Sequence, residues 1–122
     1  LATRLSQIHQ DLAALLARHR PDVLAVEEAF HAKNARTTLV LGQARGVILL
    51  AGAQAGIALA EYSPAEVKKT VTGRGQALKP QLEYVVAQLL RLRAVASPAD
   101  AADGCAVALT HLLRGQRPGR RA

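Results

Sequence analysis

The sequence contains no methionine and no tryptophan, and only one phenylalanine, two tyrosines and one cysteine. A lone cysteine, Cys105, excludes an internal disulfide and a cysteine-rich zinc site, and it fits a reducing compartment. Methionine is missing even at position 1, so Leu1 is expected to be an internal residue of a longer protein. Acids are also scarce. Nine Asp and Glu stand against 16 Lys and Arg, a formal net charge of +7 with a pI near 10.5. That imbalance points to an anionic partner, with nucleic acid ahead of a membrane surface. No apolar run reaches the length of a membrane span, no secretory signal pattern occurs, and no internal repeat is visible.

What remains is rich in aliphatic side chains. Half of the 122 residues are apolar, which is enough for one globular domain with a real core and too little for two. Leu1, Leu5, Ile8, Leu12 and Leu15 recur at helical spacing and predict an amphipathic helix over 1–18. Pro21 ends it, because the residue before a proline is driven out of the helical region. DVLAVEE at 22–28 predicts a strand whose unbroken apolar centre suits a sheet covered on both faces. Asn34 is the expected N-cap of a long helix over 35–54, and IALAEY at 57–62 is a second strand. Ser63-Pro64-Ala65-Glu66 has the form of a capping box and opens a short helix carrying Lys68 and Lys69. A further amphipathic helix is expected over 79–92, with Leu82, Val85, Val86, Leu89 and Leu90 inward, and a last helix over 99–113 after Ser97-Pro98. Alternating helix and strand predicts α/β architecture. Two strands are few for a stable sheet, so further strands are expected upstream of Leu1.

Open α/β sheets place ligands beyond the carboxyl ends of their strands, where Glu27 and Glu28 fall. Asp100 and Asp103, spaced i, i+3, share one face of the last helix, about 5–6 Å apart at Cβ. Acids in a first turn are also ordinary partners of the helix dipole, and spacing alone does not choose between that role and a site. Converging carboxylates repel each other, and a hard divalent cation would relieve the conflict. Strand alternation sends Glu28 to the side opposite Glu27, where a structural role suits it. TGRGQA at 72–77 is a glycine-bearing loop without the GK[ST] ending of a nucleotide-binding loop. His9, His19, His31 and His111 show no metal-ligand spacing and are read as surface or capping residues, and Cys105 as a small buried one.

Three blocks are more specific: VEEAFHAKNARTTLVLGQARG, SPAEVKKTVTGRGQALK and PADAADGCAVALTH. In this order and spacing they resemble RuvC, the Holliday-junction resolvase family of the RNase H-like (retroviral-integrase) superfamily, from Leu1 through His111. The resemblance implies a three-layer fold with a mixed central sheet flanked by helices. It implies one nuclease domain over 1–113, lacking N-terminal strands; the residues RGQRPGRRA at 114–122 read by themselves as a basic, flexible tail. It also implies phosphodiester hydrolysis with Mg2+, Mn2+ being the alternative, and two ions about 3.5–4 Å apart at the scissile phosphate. Glu27, Asp100 and Asp103 match the family's catalytic, metal-ligating carboxylates. A further aspartate belongs on a strand upstream of Leu1, so the chain as it stands is expected to be inactive alone.

Phe30, by default a core residue, becomes with the resemblance a residue that stacks on an unpaired base. Lys33 and Asn34 follow it on the same DNA-facing segment. Lys68 and Lys79 match lysines near the cleaved strand, and Arg36, Arg45 and Arg74 are expected backbone contacts. The helix bearing LGQARGVILLAGAQAG is implied to form a homodimer interface, suited to the two equivalent strands of a four-way junction. Association with the RuvA and RuvB branch-migration complex and a bacterial, cytoplasmic location are implied as well. The alternatives are a non-catalytic junction-binding module and another RNase H-like resolvase.

Overall fold

A computed structural model describes residues 1–28, 34–94 and 99–115, the side chain of Ala99 excepted. The elements are α1 (Ala2–His19), β1 (Val23–Glu27), α2 (Ala35–Gln54), β2 (Ala58–Tyr62), α3 (Pro64–Thr72), α4 (Lys79–Leu89) and α5 (Ala99–Arg114). β1 and β2 are hydrogen-bonded neighbours in a parallel sheet, with α2 as the crossover between them. The described residues fall into two compact units, and each strand gives its first residues to one unit and its last to the other.

The first unit holds α1, α2 and the opening residues of both strands. α2 begins where its capping chemistry predicts: the Asn34 side chain accepts the Thr37 N–H at 2.9 Å. Near its end the helix comes close to the strands. A Cβ added at Gly52 would lie 2.9 Å from Leu59 Cδ2 and 3.1 Å from Leu24 Cδ2, so glycine is what permits this approach. α1 packs on α2 with a different stripe from the one the leucine spacing predicts. Leu1, Ile8 and Leu15 are exposed, whereas Leu5, His9 and Leu12 are half-buried and Leu16 is buried. The sets 1, 8, 15 and 9, 16 flank the shared pair 5, 12, and both fit a 3.6-residue period. His9 can join the inner face because its Nε2 bonds Gln54 Oε1 at 2.7 Å. Most of α2's aliphatic surface faces outward, including Leu39, Val40, Leu41 and Leu50.

The second unit holds the ends of both strands with α3, α4 and α5, which pack on one another. Its core includes Tyr62, Val67, Val71, Leu82, Val86, Ala102, Ala106, Val107 and the buried Thr110. The Thr110 hydroxyl, with no exposure to water, donates to the Ala106 carbonyl one turn back at 2.8 Å. α3 starts at the expected cap: Ser63 Oγ accepts the Glu66 N–H at 3.1 Å, while the reciprocal contact is long at 3.5 Å. It stops at Gly73, whose N–H closes the last helical bond onto the Lys69 carbonyl and whose φ of 83° then turns the chain out of the helix. α4 stops three residues before its expected end. Arg91 takes a left-handed conformation, φ 55°, and the Leu92 N–H closes onto Ala87 O at 2.8 Å. Leu89 and Leu90 are consequently exposed, while Leu82 and Val86 are buried as expected.

Two polar ties bind the far end of α5. The Tyr62 hydroxyl lies 2.6 Å from His111 Nδ1, and the Arg114 guanidinium pairs with Glu66 at 2.6 Å and donates to Thr70 Oγ1 at 3.0 Å. His111 is therefore a half-buried partner of a core tyrosine and corrects the surface assignment. Cys105 is half-buried where the sequence suggested full burial. Arg114, expected to open the tail, is the last residue of α5, and 116–122 lie outside the described residues.

Candidate active site

The strands of the second unit end side by side. β1 finishes at Glu27, and one residue later the Glu28 N–H donates to the Tyr62 carbonyl at 2.8 Å. Side chains alternate along a strand, so consecutive glutamates diverge. Glu27 lines a hollow of about 200 Å³ together with Pro64, Val67, Lys68, Lys79, Leu82 and Asp103, a set that does not include Glu28. Four elements thus contribute: the end of β1, the first turns of α3, the start of α4 and the second turn of α5. The apolar side chains Pro64, Val67 and Leu82 were no part of the predicted site. Pro64 was legible as a helix start and Leu82 as core periodicity, and Val67 was not singled out.

Burial raises the Glu27 carboxyl above its ordinary value, and the neighbouring Asp103 charge raises it further; Lys68 and Lys79 pull the other way. Lys79 Nζ lies 3.2 Å from Asp103 Oδ2. The hydrogen bond to Asp103, then its charge, raise the Lys79 ammonium above its ordinary value. Asp100, in the first turn of α5, is exposed and does not line the hollow; its charge is felt at Lys79. The expected trio of carboxylates is thus a converging pair with a third acid beside it. Among the described residues no group of three or more His, Cys, Asp or Glu is placed to hold a metal ion. The pair itself has the chemistry a hard divalent cation selects: carboxylate oxygens, one of them partly buried, in mutual repulsion.

The remaining expected DNA contacts are scattered. Arg36 is exposed in the first turn of α2, and Asn34 uses its side chain as that helix's cap. Arg74 is exposed in the loop after α3, where its N–H and carbonyl both bond the Thr72 hydroxyl. Arg45 is half-buried along α2. Phe30, His31 and Lys33 lie outside the described residues. A larger hollow in the first unit, about 550 Å³, is lined by four alanines with Leu16, Pro21, Ile57, Arg20 and Gln54, and its lining includes no acid. It has none of the chemistry gathered around Glu27.

Acids that meet at the carboxyl end of a parallel strand fit a nuclease of the RNase H-like class, and the solved structures that superimpose on this chain have that fold. Within that class, the family described as crossover junction endodeoxyribonuclease RuvC matches residues 1–111, and the chain belongs to this family. A RuvC of Azorhizobium caulinodans is 52% identical over 123 residues, covering all of this chain and 72% of the relative. One of Salinispora arenicola is 49% identical, covering all of this chain and 70% of the relative. The structure of Thermus thermophilus RuvC in complex with Holliday junction substrate superimposes with a TM-score of 0.89 at 34% identity, over 98% of this chain and 72% of that one.

Proposed function

We propose that the protein is a structure-specific endonuclease that resolves Holliday junctions in recombination and repair, nicking two strands of like polarity by metal-dependent hydrolysis. The observation that carries this reading is the meeting of Glu27 and Asp103 in one hollow flanked by Lys68 and Lys79, in a chain of the RuvC family. Glu27 and Asp103, with Asp100 beside them, would hold divalent metal, Mg2+ first and Mn2+ as the alternative. Bound there, such an ion supplies Lewis acidity and lowers the pKa of an attacking water.

The protein's own groups do the rest. Pro64, Val67 and Leu82 wall the hollow on the side of Glu27, the acid whose carboxyl burial raises. Lys68 and Lys79 offer positive charge to the phosphate diester. Phe30, Lys33, Asn34, Arg36 and Arg74 are assigned to the DNA surface. The outward Leu39, Val40 and Leu41, beside the open positions at Gly42 and Gly46, suit α2 to a second copy of the chain. RuvA and RuvB as partners and a cytoplasmic location rest on family membership; no helix among the described residues is long and apolar enough to cross a membrane.

The test is an end-labelled four-way junction incubated with the full-length protein, with MgCl2 and with chelator. Paired nicks on like-polarity strands that require the metal support the reading. Tight junction binding without any nick would favour the non-catalytic module instead.

A further inference from the structure

Two carboxylates that face one hollow must have their charge balanced. The structure supplies two lysines for this, in unequal ways. Lys68 acts on Glu27 through space and makes no ion pair with either acid. Lys79 is in contact: its Nζ is 3.2 Å from Asp103 Oδ2. The placement of Lys79 is unfavourable for its own helix. It is the first residue of α4, at the positive end of the helix dipole, and that first turn contains no acid. Its backbone is nonetheless well fixed. Pro80 follows it, and the Leu78 N–H donates to Gln81 Oε1 at 3.0 Å. Within α4 the ammonium also feels the charge of Glu83 one turn on, but its contact is with Asp103 of α5. The contact is also easily released, because the Lys79 side chain is 52% exposed and the Asp103 side chain 40%. Exposed pairs of this kind are held weakly, and an ammonium on a flexible stem can swing away without distorting its helix.

We propose that Lys79 is the resident counter-cation of the Glu27–Asp103 pair, holding Asp103 in place until a divalent cation displaces its ammonium. This rests on the reading of the pair as a metal site and adds a positioning role for Lys79: metal binding and release of the lysine are one exchange. The freed ammonium is then available to a DNA phosphate beside the same hollow.

The exchange is testable without DNA and without turnover, by calorimetric titration of the full-length protein with MgCl2. Lys79→Gln removes the competitor and should tighten Mg2+ binding about two- to five-fold, the range set by a weak exposed ion pair. Lys79→Arg keeps a cation that can pair with Asp103 and should bind Mg2+ as the wild type does. Lys68→Gln removes an equal charge that is not in contact with either acid, and should tighten binding less than Lys79→Gln. If Lys79→Gln binds Mg2+ no more tightly than wild type, or no more tightly than Lys68→Gln, the resident-cation role is overturned and the metal site stands. If Glu27→Gln binds Mg2+ as well as wild type, the metal reading itself fails, and the exchange fails with it.

Discussion

Replacing Tyr62 with Phe removes a single hydroxyl from a residue of the second unit's core that has no exposure. That hydroxyl bonds His111 Nδ1 at 2.6 Å, while His111 Nε2 is buried without a partner among the described residues. Removing the hydroxyl leaves an enclosed imidazole nitrogen unpaired, which costs about 1–3 kcal/mol. Tyr62→Phe should therefore lower stability by about 2 kcal/mol. In urea, with a slope of about 2 kcal/mol per molar, the midpoint should fall by about 1 M with the slope unchanged. The ring stays, so its packing and the Arg114 guanidinium 5.8 Å from its centroid are retained. The backbone carbonyl that accepts the Glu28 N–H is retained too, so junction cleavage per folded molecule should not change. A second variant separates polar pairing from packing. Tyr62→Phe/His111→Leu removes both partners and should be more stable than Tyr62→Phe alone. A single variant within 0.5 kcal/mol of wild type, or a double variant less stable than the single one, would refute the reasoning.

Three other outcomes are expected. Ser63→Ala deletes the oxygen that accepts the Glu66 N–H and should cost about 1 kcal/mol in the same urea assay; no loss would show that α3 does not depend on its cap. Glu27 has a carboxyl raised above 4.5 in the fold, so folding favours its protonated form, and stability falls as pH rises from the ordinary carboxylate range through the raised value. Glu27→Gln lacks that penalty and should gain stability relative to wild type over this window; unfolding midpoints that run parallel with pH would contradict it. Junction affinity should fall steeply with salt, and Lys68→Gln should reduce the slope of log K against log salt by about one phosphate contact. A flat salt response would remove the charge argument from DNA binding.

The parts of the fold legible in the sequence are those written in local chemistry. Asn34 and Ser63-Pro64-Glu66 announce helix starts because capping partners lie within three residues of each other. The inner face of α1 was not legible, since two leucine stripes satisfy the same period and only the Gln54 side chain makes His9 acceptable inside. The end of α4 was missed because Arg91 occupies a left-handed position that glycine would have signalled. At the site, Glu27 could be placed from the end of an apolar strand, and reading Asp100 and Asp103 as site residues instead of ordinary first-turn acids came from family motifs. The Lys79–Asp103 contact joins residues 24 apart in sequence, and neither helix's periodicity predicts it. The same holds for Tyr62 and His111, 49 apart, where a histidine with no ligand spacing proved to be a core partner.

The central claim is that Glu27 serves cleavage as a metal-holding carboxylate and not junction recognition. The most direct measurement compares Glu27→Gln with wild type in the full-length protein, on one labelled four-way junction with MgCl2, recording binding and nicking in the same samples. The account predicts that nicking is lost while junction affinity stays close to that of wild type. Nicking at the wild-type rate by Glu27→Gln would contradict it.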